Sequence, residues 1–542
     1  PPRDRALREQ LERRPDVRLP RPRRADAPAV APPDERPCFP IHRIELRTPD
    51  GAAAGRFAFA LDALPDGPWR DPAVEPPCLG VRGVNAAVQR LQHAIVERGL
   101  VTTRVLAEPQ DLSAGTLALT VVPGLVRAVR IEAAEGEAAA DAARATVWNA
   151  LPTGPGRLLD LRDLEQGLEN WKRVPTADAA IRIAPGDAPG ESDLLVQWRQ
   201  PRAFRASVGL DDAGSRATGR QQASVTFSGD HWARLNDLFY ASISRGLGGD
   251  GRRGGRGSDS QALHYSLPWG YALLAFDASA ARYRQTVAGA TQDYVYAGSS
   301  RNAGAKLSWL VHRDASSKSS VFVRGWTRSS NNSIDDTEVE VQRRRTAGWE
   351  AGVTQRRYLG DATLEAALAH RRGTGAFGAL PAPEEAFGEG SSRPRITTAD
   401  AQFDQPFTLG DQRLRYRGAL RAQWHHTPLV PQDRFSIGNR YTVRGFDGET
   451  TLAAERGWFV RNELGWAFAD LGLETYAGLD HGRVGGASAA NLPGTQLTGA
   501  VLGLRGSAWR TSADLFVGAP IRKPDGFRTA GATAGFNLQW SY

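Results

Sequence analysis

Arg444 and Asp480 form the clearest candidate charged pair in this sequence. Arg444 lies in YTVRGFDGE (441–449), between two predicted strands, and the glycine after it allows a tight turn. Asp480 lies in LETYAGLDHG (473–482), and the residues on its face of the predicted strand are Glu474, Tyr476, Gly478 and Gly482. A guanidinium can meet a carboxylate through two parallel hydrogen bonds. The residues alone leave a second interpretation open, in which Arg444 is solvated and Asp480 lines a polar wall.

Enzymatic chemistry has no support in the motifs of this chain. The patterns GxSxG, HExxH, CxxC and GxxxxGK[ST] do not occur in the sequence. The nine histidines are scattered, and the adjacent His425 and His426 have no obvious further metal ligands near them. We therefore expect no catalytic residue, no metal ion and no cofactor.

The two cysteines, Cys38 and Cys78, bear on the compartment of the protein. An even pair without metal-type spacing suits a disulfide in an oxidising compartment. Two buried free thiols are the alternative. The chain contains no Met and begins PPRDRALREQ, so we expect the start of the precursor, with any signal peptide, to be missing.

The charge of the chain is basic, with a formal net charge of +8 and 64 Arg against four Lys. A basic protein can bind nucleic acid. Here the arginines are spread over many alternating segments rather than gathered in one patch, so we expect no nucleic-acid partner. No apolar run approaches the roughly 18 residues of a membrane-spanning helix.

From residue 203 onward, alternating apolar and polar residues predict strands. LRYRGALRAQW (414–424) and FRASVGLDD (204–212) are clear examples. The last segment alternates in the same way, and its apolar residues are Phe536, Leu538, Trp540 and Tyr542. Lipid outside and water inside a barrel produce this pattern, and sixteen strands would take about 21 residues each with their connections. Periodicity alone allows about 14 to 18 strands, and a soluble sandwich or propeller is the alternative.

The N-terminal 200 residues predict smaller elements. Within residues 1–20, RDRALREQLERR (3–14) predicts a short helix in which Leu7 and Leu11 are the only large apolar residues, too few for a dry core. A proline-rich linker follows at 21–37. Residues 38–124 and 125–201 then each predict a β-α-α-β-β unit, which suggests a tandem repeat. The predicted helices of these units are 83–99, 143–152 and 161–175.

This order of elements resembles the two-partner secretion transporters, whose members are 16-stranded outer-membrane barrels preceded by two POTRA domains. The resemblance covers nearly the whole chain and points to the branch for haemolysin secretion and contact-dependent inhibition. The segments that carry it are PCFPIHRIEL (37–46), CLGVRGVNAAVQRLQHAIVERGLVTTRVLAEPQDLSAGTL (78–117), VPGLVRAVRI (122–131), YTVRGFDGE (441–449) and YAGLDHG (476–482).

The resemblance implies a mainly β fold with assigned parts. These parts are a plug helix at 1–20, a linker at 21–37, POTRA domains at 38–124 and 125–201, a transmembrane barrel at 202–542, and a loop near 435–456 that folds inward. It further implies a loop latch, in which Asp480 of the facing strand holds the loop. The latch residues are Val443, Arg444, Gly445, Phe446 and Asp480, and the barrel-wall motif is Tyr476, Gly478 and Gly482.

The function implied is export of one large partner, a toxin, haemolysin or adhesin. The partner would bind the periplasmic POTRA domains through its N-terminal secretion domain and cross the outer membrane unfolded. Open sheet edges at 101–107 and 177–185 could bind it by strand addition. Further expected partners are the barrel-assembly machinery and the lipid and lipopolysaccharide around a monomer. Two alternatives stay open: an outer-membrane protein insertase of the same superfamily, and a surface receptor or adhesin barrel.

Overall fold

The computed structural model describes residues 11–12, 15–19, 35–132, 144–247, 255–468 and 471–542. The chain divides into two compact units. One is Arg13–Pro201, and the other is Arg202–Tyr542 together with the segment that ends at Glu12. The predicted plug residue Leu7, and residues 248–254 of the Gly- and Arg-rich segment 245–260, lie outside the described residues. Within the described part of the chain, no helix is long and apolar enough to cross a bilayer.

The first α/β domain is a three-stranded sheet covered by one long helix. Its elements are β1 (Phe39–Pro40), β2 (Arg43–Arg47), a 3-10 helix (Gly55–Ala63), β3 (Cys78–Leu79), α1 (Val81–Glu97), β4 (Arg104–Leu106) and β5 (Thr116–Val122). The sheet order is β2-β5-β4, and β1 pairs with β3. Helix α1 forms because apolar residues recur at helical spacing, and Leu91 and Ile95 are fully buried against the sheet. The strand predicted at 101–107 is observed only as β4, which lies at the edge of this sheet.

The second α/β domain repeats this plan. Its elements are β6 (Leu125–Glu132), α2 (Leu161–Lys172), β7 (Asp178–Pro185) and β8 (Glu191–Arg199), and the sheet order is β6-β8-β7. Asp160 caps α2 by accepting the backbone N–H of Arg162 at 2.8 Å. Strand β7, predicted at 177–185, lies at the sheet edge.

The predicted helix at 143–152 is wrong within its described part. Residues 144–152 form turns and irregular backbone. The β-branched Thr146 and Val147 disfavour a helix, and Pro152 cannot donate a helical hydrogen bond. Ala150 and Leu151 reach the core from a turn instead.

The second unit is a closed antiparallel barrel. Within the described residues it has sixteen long strands: β9 (Phe204–Asp211), β10 (Gln222–Asp230), β11 (Leu238–Gly246), β12 (Gly257–Trp269), β13 (Ala272–Ala288), β14 (Asp293–Arg313), β15 (Ser317–Ile334), β17 (Arg344–Leu359), β18 (Ala362–Thr374), β19 (Arg395–Leu409), β20 (Gln412–His425), β23 (Arg456–Phe468), β24 (Leu473–Gly485), β25 (Gln496–Ala508), β26 (Thr511–Arg522) and β27 (Thr533–Ser541). A two-residue strand, β16 (Thr337–Glu338), pairs with β15. This count confirms the sixteen strands that the resemblance implies, within the range of about 14 to 18 that periodicity alone allows.

The two faces of the barrel wall differ in polarity. Ile243 and Leu502 point outward and are each 61% exposed, whereas their chain neighbours Ser242 and Val501 are buried. Large apolar side chains exposed along a closed barrel have no favourable place in water, so the outer surface suits lipid. The inner face carries the charged side chains.

The barrel closes by pairing its last strand with its first. Asn537–Ser541 of β27 pairs with Ser207–Asp211 of β9 over five residue pairs. The backbone N–H of Tyr542 then donates to the carbonyl oxygen of Ala206 at 2.8 Å. We call this β9–β27 pairing the seam. It is much shorter than the pairing of β13 with β14, which extends over seventeen residue pairs.

Candidate functional site: the loop inside the barrel

The connection between β20 and β23, residues 426–455, lies inside the barrel. Its short strands β21 (Phe435–Ile437) and β22 (Leu452–Ala454) form a hairpin. Loop and wall share one apolar cluster, whose members are Phe435, Ile437, Val443, Phe446, Leu452, Ala454, Phe459, Val484, Leu497 and Phe527. Burying this cluster stabilises the folded-in position, because each large side chain removed from water contributes about 1.5–3 kcal/mol.

The structure brings the predicted pair Arg444 and Asp480 together in a buried contact. Arg444 Nε donates to Asp480 Oδ2 at 2.8 Å, and Nη2 donates to Oδ1 at 2.9 Å. The backbone N–H of Arg444 also donates to Oδ2 at 3.0 Å. Asp480 is fully buried and Arg444 is 6% exposed, so the solvated interpretation of Arg444 is wrong.

Glu463 on β23 is a second carboxylate for the loop arginine, and the sequence reasoning missed it. It accepts from Arg444 Nη1 at 2.6 Å and from Arg505 Nη2 at 2.6 Å. Arg417 adds a longer bond of 3.3 Å to Glu463 and pairs with Glu474 at 2.8 Å. In the wall register, Glu463 lies directly opposite the predicted Gly478. Its inward position in RNELGWAF (461–468) was the available signal.

Glycines let the loop approach the wall closely. Gly445 has φ +94°, and a β-carbon there would lie 2.5 Å from the carbonyl oxygen of Ala519. A β-carbon at the predicted Gly478 would lie 2.6 Å from Arg444 Nη2, and one at Gly482 would lie 2.9 Å from Val443 Cγ2. Gly499 of β25 was not predicted, yet it accommodates the carbonyl group of Arg444 in the same way.

The other predicted residues of this region pack around the charged centre. Val443 is fully buried, and the ring of Phe446 meets that of Phe527 edge-on at 5.9 Å. Tyr476 donates to Asp514 Oδ1 at 2.8 Å, and the guanidinium of Arg505 lies 4.6 Å above its ring. Tyr476 thus supports Arg505, which in turn reaches Glu463.

Arg440, which the sequence reasoning also missed, ties the loop to the seam. Its Nη2 donates to the carbonyl oxygen of Asp212 at 3.1 Å and also to the side chain of Asp212. The same carboxylate oxygen accepts the backbone N–H of Phe536 on β27 at 2.9 Å. The guanidinium lies 5.2 Å from the ring centre of Phe516 on β26. One loop side chain therefore contacts both ends of the closed barrel sheet.

The N-terminal residues that the structure describes divide between the two units. Leu11 is 4% exposed and Glu12 belongs to the barrel unit. Glu12 Oε1 lies 3.4 Å from His264 Nε2, and His264 on β12 is buried on the inner face and bonded to Asp277 at 2.8 Å. Glu12 therefore lies within the barrel, whereas residues 15–19 belong to the other unit.

Two further predicted features lie in the first α/β domain and at the loop entrance. Cys38 and Cys78 form a disulfide with their Cα atoms 5.2 Å apart, so the free-thiol alternative is wrong.

The histidine pair singled out in the sequence, His425 and His426, lies where the loop begins. His426 Nε2 lies 2.8 Å from Thr397 Oγ1. Among the described residues, no group of three or more His, Cys, Asp or Glu side chains could hold a metal ion.

Fold and site together define a class of protein. A closed barrel with an apolar outside and a polar inside, a long loop fixed in its lumen, and two small α/β domains before it describe an outer-membrane pore with POTRA domains.

Comparisons with known proteins identify the family within this class. Residues 190–506 match the family described as haemolysin secretion/activation protein ShlB/FhaC/HecB. Residues 71–124 match the ShlB-type POTRA domain, and 126–185 match a POTRA domain. The chain belongs to this family of two-partner secretion transporters. It is therefore an outer-membrane transporter, with its POTRA domains in the periplasm, and not an enzyme.

Individual relatives agree with this assignment. The chain is 38% identical to outer membrane transporter CdiB-2 of Burkholderia pseudomallei (strain 1026b), over 99% of this chain and 91% of that one. The structure of CdiB from Acinetobacter baumannii is 28% identical with a TM-score of 0.84, covering 99% of this chain and 96% of that one. CdiB from Escherichia coli is 25% identical with a TM-score of 0.83, covering 95% and 94%. Family membership decides against the insertase and receptor alternatives.

Proposed function

We propose that this transporter exports one large exoprotein of the toxin, haemolysin or adhesin class to the cell surface. The POTRA domains receive the exoprotein through its N-terminal secretion domain, and the chain crosses the barrel unfolded. The likeness to transporters named CdiB supports the contact-dependent-inhibition branch. The observation that carries the mechanism is the loop arginine, buried between two carboxylates of the wall.

The role we assign to Arg444 and Asp480 is that of a latch. Arg444 makes three buried hydrogen bonds to one carboxylate, two from its guanidinium and one from its backbone N–H. This arrangement has a single favourable position, because losing any bond leaves a buried polar group unpaired. The latch holds Val443, Gly445 and Phe446 against the wall, so the loop defines the shape of the lumen. Export requires this defined shape.

In this proposal the plug of the lumen is the part of the predicted 1–20 segment that ends at Glu12, because residues 15–19 belong to the other unit. The position of Glu12 beside the inward-facing His264 supports it. A helix that is polar on nearly every side suits a water-filled lumen.

Open sheet edges are the proposed contact for the incoming chain. Strands β4 and β7 each lie at the edge of a three-stranded sheet. Such edges offer unpaired N–H and C=O groups to an extended polypeptide. An unfolded exoprotein can therefore add to either sheet as a further strand.

The proposal also assigns the assembly partner, the surrounding lipid, the oligomeric state and the domain limits. The alternating residues Phe536, Leu538, Trp540 and Tyr542 serve as the signal for the barrel-assembly machinery. The outward apolar belt lies in lipid and lipopolysaccharide, and the transporter works as a monomer. The domain limits that we assign are 38–124 and 125–201 for the POTRA domains and 202–542 for the barrel.

Co-expression with a large exoprotein tests the proposal. The gene for the exoprotein is sought beside the transporter gene, and the medium is assayed for the exported product. Export should depend on the transporter and fall strongly with Arg444→Ala. Arg415→Ala is the matched control, because Arg415 pairs with Asp404 in the wall away from the loop. Full assembly of the transporter without any exported exoprotein would contradict the proposal.

A further inference from the structure

Residues 15–19 lie in an extended conformation against helix α2 of the second POTRA domain. The backbone N–H of Val17 donates to Glu169 Oε1 at 2.9 Å, and that of Leu19 donates to Glu165 Oε1 at 2.9 Å. The side chains of Val17 and Leu19 pack against the core of the domain. Val17 and Leu19, two positions apart in one short segment, thus each contribute a backbone N–H group and a side chain to the contact.

The spacing of the two carboxylates fits an extended chain. Glu165 and Glu169 are four residues apart, which places them about 6 Å apart along the helix axis. Alternate N–H groups of an extended chain repeat at about 6.6 Å. One helical turn therefore matches one two-residue repeat of the segment, so both hydrogen bonds can form together.

Burial indicates that this face of α2 is built for an occupant. Glu165 is 1% exposed and Arg162 is 7% exposed, and Arg162 Nη1 donates to Glu165 at 2.6 Å. A buried carboxylate is costly unless its oxygens are hydrogen-bonded. Arg162 and the N–H of Leu19 supply these bonds, and hydrogen bonds to an ionised acceptor are the stronger kind.

The position of this contact limits how far the plug can move. Val17 follows Glu12 by five positions, and an extended chain spans at most about 18 Å over that length. After residues 15–19 the next residue that the structure describes is Glu35, which accepts the backbone N–H groups of Gly80 and Gly83. With residues 15–19 detached, Glu35 follows Glu12 by 23 positions, a reach of about 80 Å. The apolar core of the membrane is about 30 Å thick.

We propose that Glu165 and Glu169 form a releasable anchor for the protein's own segment 15–19, and that the plug leaves the lumen only after this anchor releases. The anchor binds two backbone N–H groups and the apolar side chains of the same two residues, so it accepts an extended polypeptide with apolar residues at alternate positions. The inference rests on the proposed plug role of the segment that ends at Glu12, and it adds a periplasmic control point outside the barrel.

A light-induced lock tests the anchor in the complete protein. A benzophenone amino acid replaces Leu19, and the assembled transporter is irradiated, so folding is finished before the lock forms. Mass analysis should find the crosslink within 161–172. Single-channel opening in planar bilayers should fall at least tenfold after irradiation, and export should stop. A crosslinked protein that opens and exports as before irradiation would overturn the anchor. Failure of the unirradiated protein to export anything would instead count against the proposed function.

Removing the backbone N–H groups of Val17 and Leu19 tests whether a weaker anchor lets the plug open more often. Val17→Pro with Leu19→Pro deletes both N–H groups and keeps an extended backbone. Opening should become severalfold more frequent than in Val17→Ala with Leu19→Ala, which keeps the donors. Equal opening of the two variants would contradict the role of the N–H groups.

A peptide tests the site directly. The vacated anchor of the double-proline variant should bind a peptide with the sequence of residues 13–22, and fluorescence anisotropy measures the affinity. Glu165→Gln with Glu169→Gln in that background should weaken binding at least tenfold, because an amide oxygen carries no charge. Unchanged affinity would show that α2 is not the binding site.

Discussion

Arg444 has two carboxylate partners, and this arrangement determines how its loss should behave. Asp480 supplies three of its hydrogen bonds and Glu463 supplies one. Removing one partner of a buried ion pair leaves an uncompensated charge and typically costs about 3–5 kcal/mol. The whole pair is worth much less than this, because burying both charges is itself costly.

We therefore expect strong coupling between Arg444 and Asp480. Arg444→Ala and Asp480→Ala should each cut export by tenfold or more, and the double variant should be no worse than either single one. Export is measured in a double-mutant cycle, and gel migration with and without heating checks that the barrel assembles. Effects that multiply would mean that the two residues act independently.

Glu463→Gln should have a smaller effect in the same assay, because Asp480 keeps its bonds to the arginine. Glu365→Gln is the matched control, since Glu365 pairs with Arg356 elsewhere in the wall. A loss with Glu463→Gln equal to that with Asp480→Ala would show that the second carboxylate is as important as the first.

Glu35 caps helix α1 in the periplasm, and its ionisation should be visible in stability. Burial raises its pKa, but hydrogen bonds from the backbone N–H groups of Arg82, Gly83 and Gly80 outweigh burial and hold the pKa below the ordinary value of 4.5. A carboxylate whose pKa is lower in the folded state stabilises the fold at pH values above its unfolded-state pKa. This stabilisation is lost as the pH falls through the folded-state pKa.

The first POTRA domain should therefore lose more thermal stability between pH 6 and about pH 3 in the wild type than in Glu35→Gln. Thermal unfolding of the full chain, followed by hydrogen exchange at the start of α1, measures the difference. Identical pH profiles of the two proteins would contradict the capping role of the carboxylate.

At the scale of elements, the seam is the shortest pairing among the sixteen long strands that the structure describes. Its five residue pairs are supported by Arg440, which contacts Asp212 after β9 and the ring of Phe516 on β26. A β-carbon at Gly535 would lie 2.8 Å from Arg440 Nη2, so the last hairpin leaves space for this side chain. The position of the loop and closure of the barrel are thus physically linked.

Arg440→Ala should loosen the seam. We expect the barrel to lose its compact gel migration at a temperature several degrees lower, whereas Arg415→Ala should behave as the wild type. Asp212→Asn should reproduce part of the effect, because the amide still accepts from Arg440. An unchanged unfolding temperature for Arg440→Ala would show that the seam holds without the loop.

The disulfide acts on the first POTRA domain alone. It closes a loop with a sequence separation of 40, for which the chain-entropy model gives roughly 4 kcal/mol. Cys38→Ser with Cys78→Ser should lower the stability of this domain by up to about that amount, measured by denaturant unfolding, and export should persist. A loss of barrel assembly would mean that the disulfide serves more than its own domain.

At the scale of the whole molecule, the plug and the loop occupy one lumen. Deleting residues 1–20 removes Glu12 from beside His264 and should raise the open probability in planar bilayers without abolishing export. His264→Ala in the complete chain is a milder version of the same change. An unchanged conductance record after the deletion would contradict the plug.

The sequence by itself determined the architecture of this protein. Alternation sets which face of a strand meets lipid, and this local pattern is fixed by the period of two along a strand. The helix 161–175 and the strand edges followed in the same way, whereas periodicity left about 14 to 18 strands open and the resemblance supplied the count of sixteen. The resemblance then singled out Arg444 and Asp480, which the residues alone left undecided.

Tertiary structure decided the contacts between distant segments. Glu463 and Gly499 became part of the site only through the register of neighbouring strands, and that register depends on the whole closed wall. Arg440 reaches Asp212 across 228 positions, and Leu19 reaches Glu165 across 146, separations that no local pattern encodes. Local composition predicts a helix at 143–152, but the described part, 144–152, forms turns and irregular backbone, from which Ala150 and Leu151 pack into the core. Local periodicity determines elements, whereas chain closure and burial determine which elements meet.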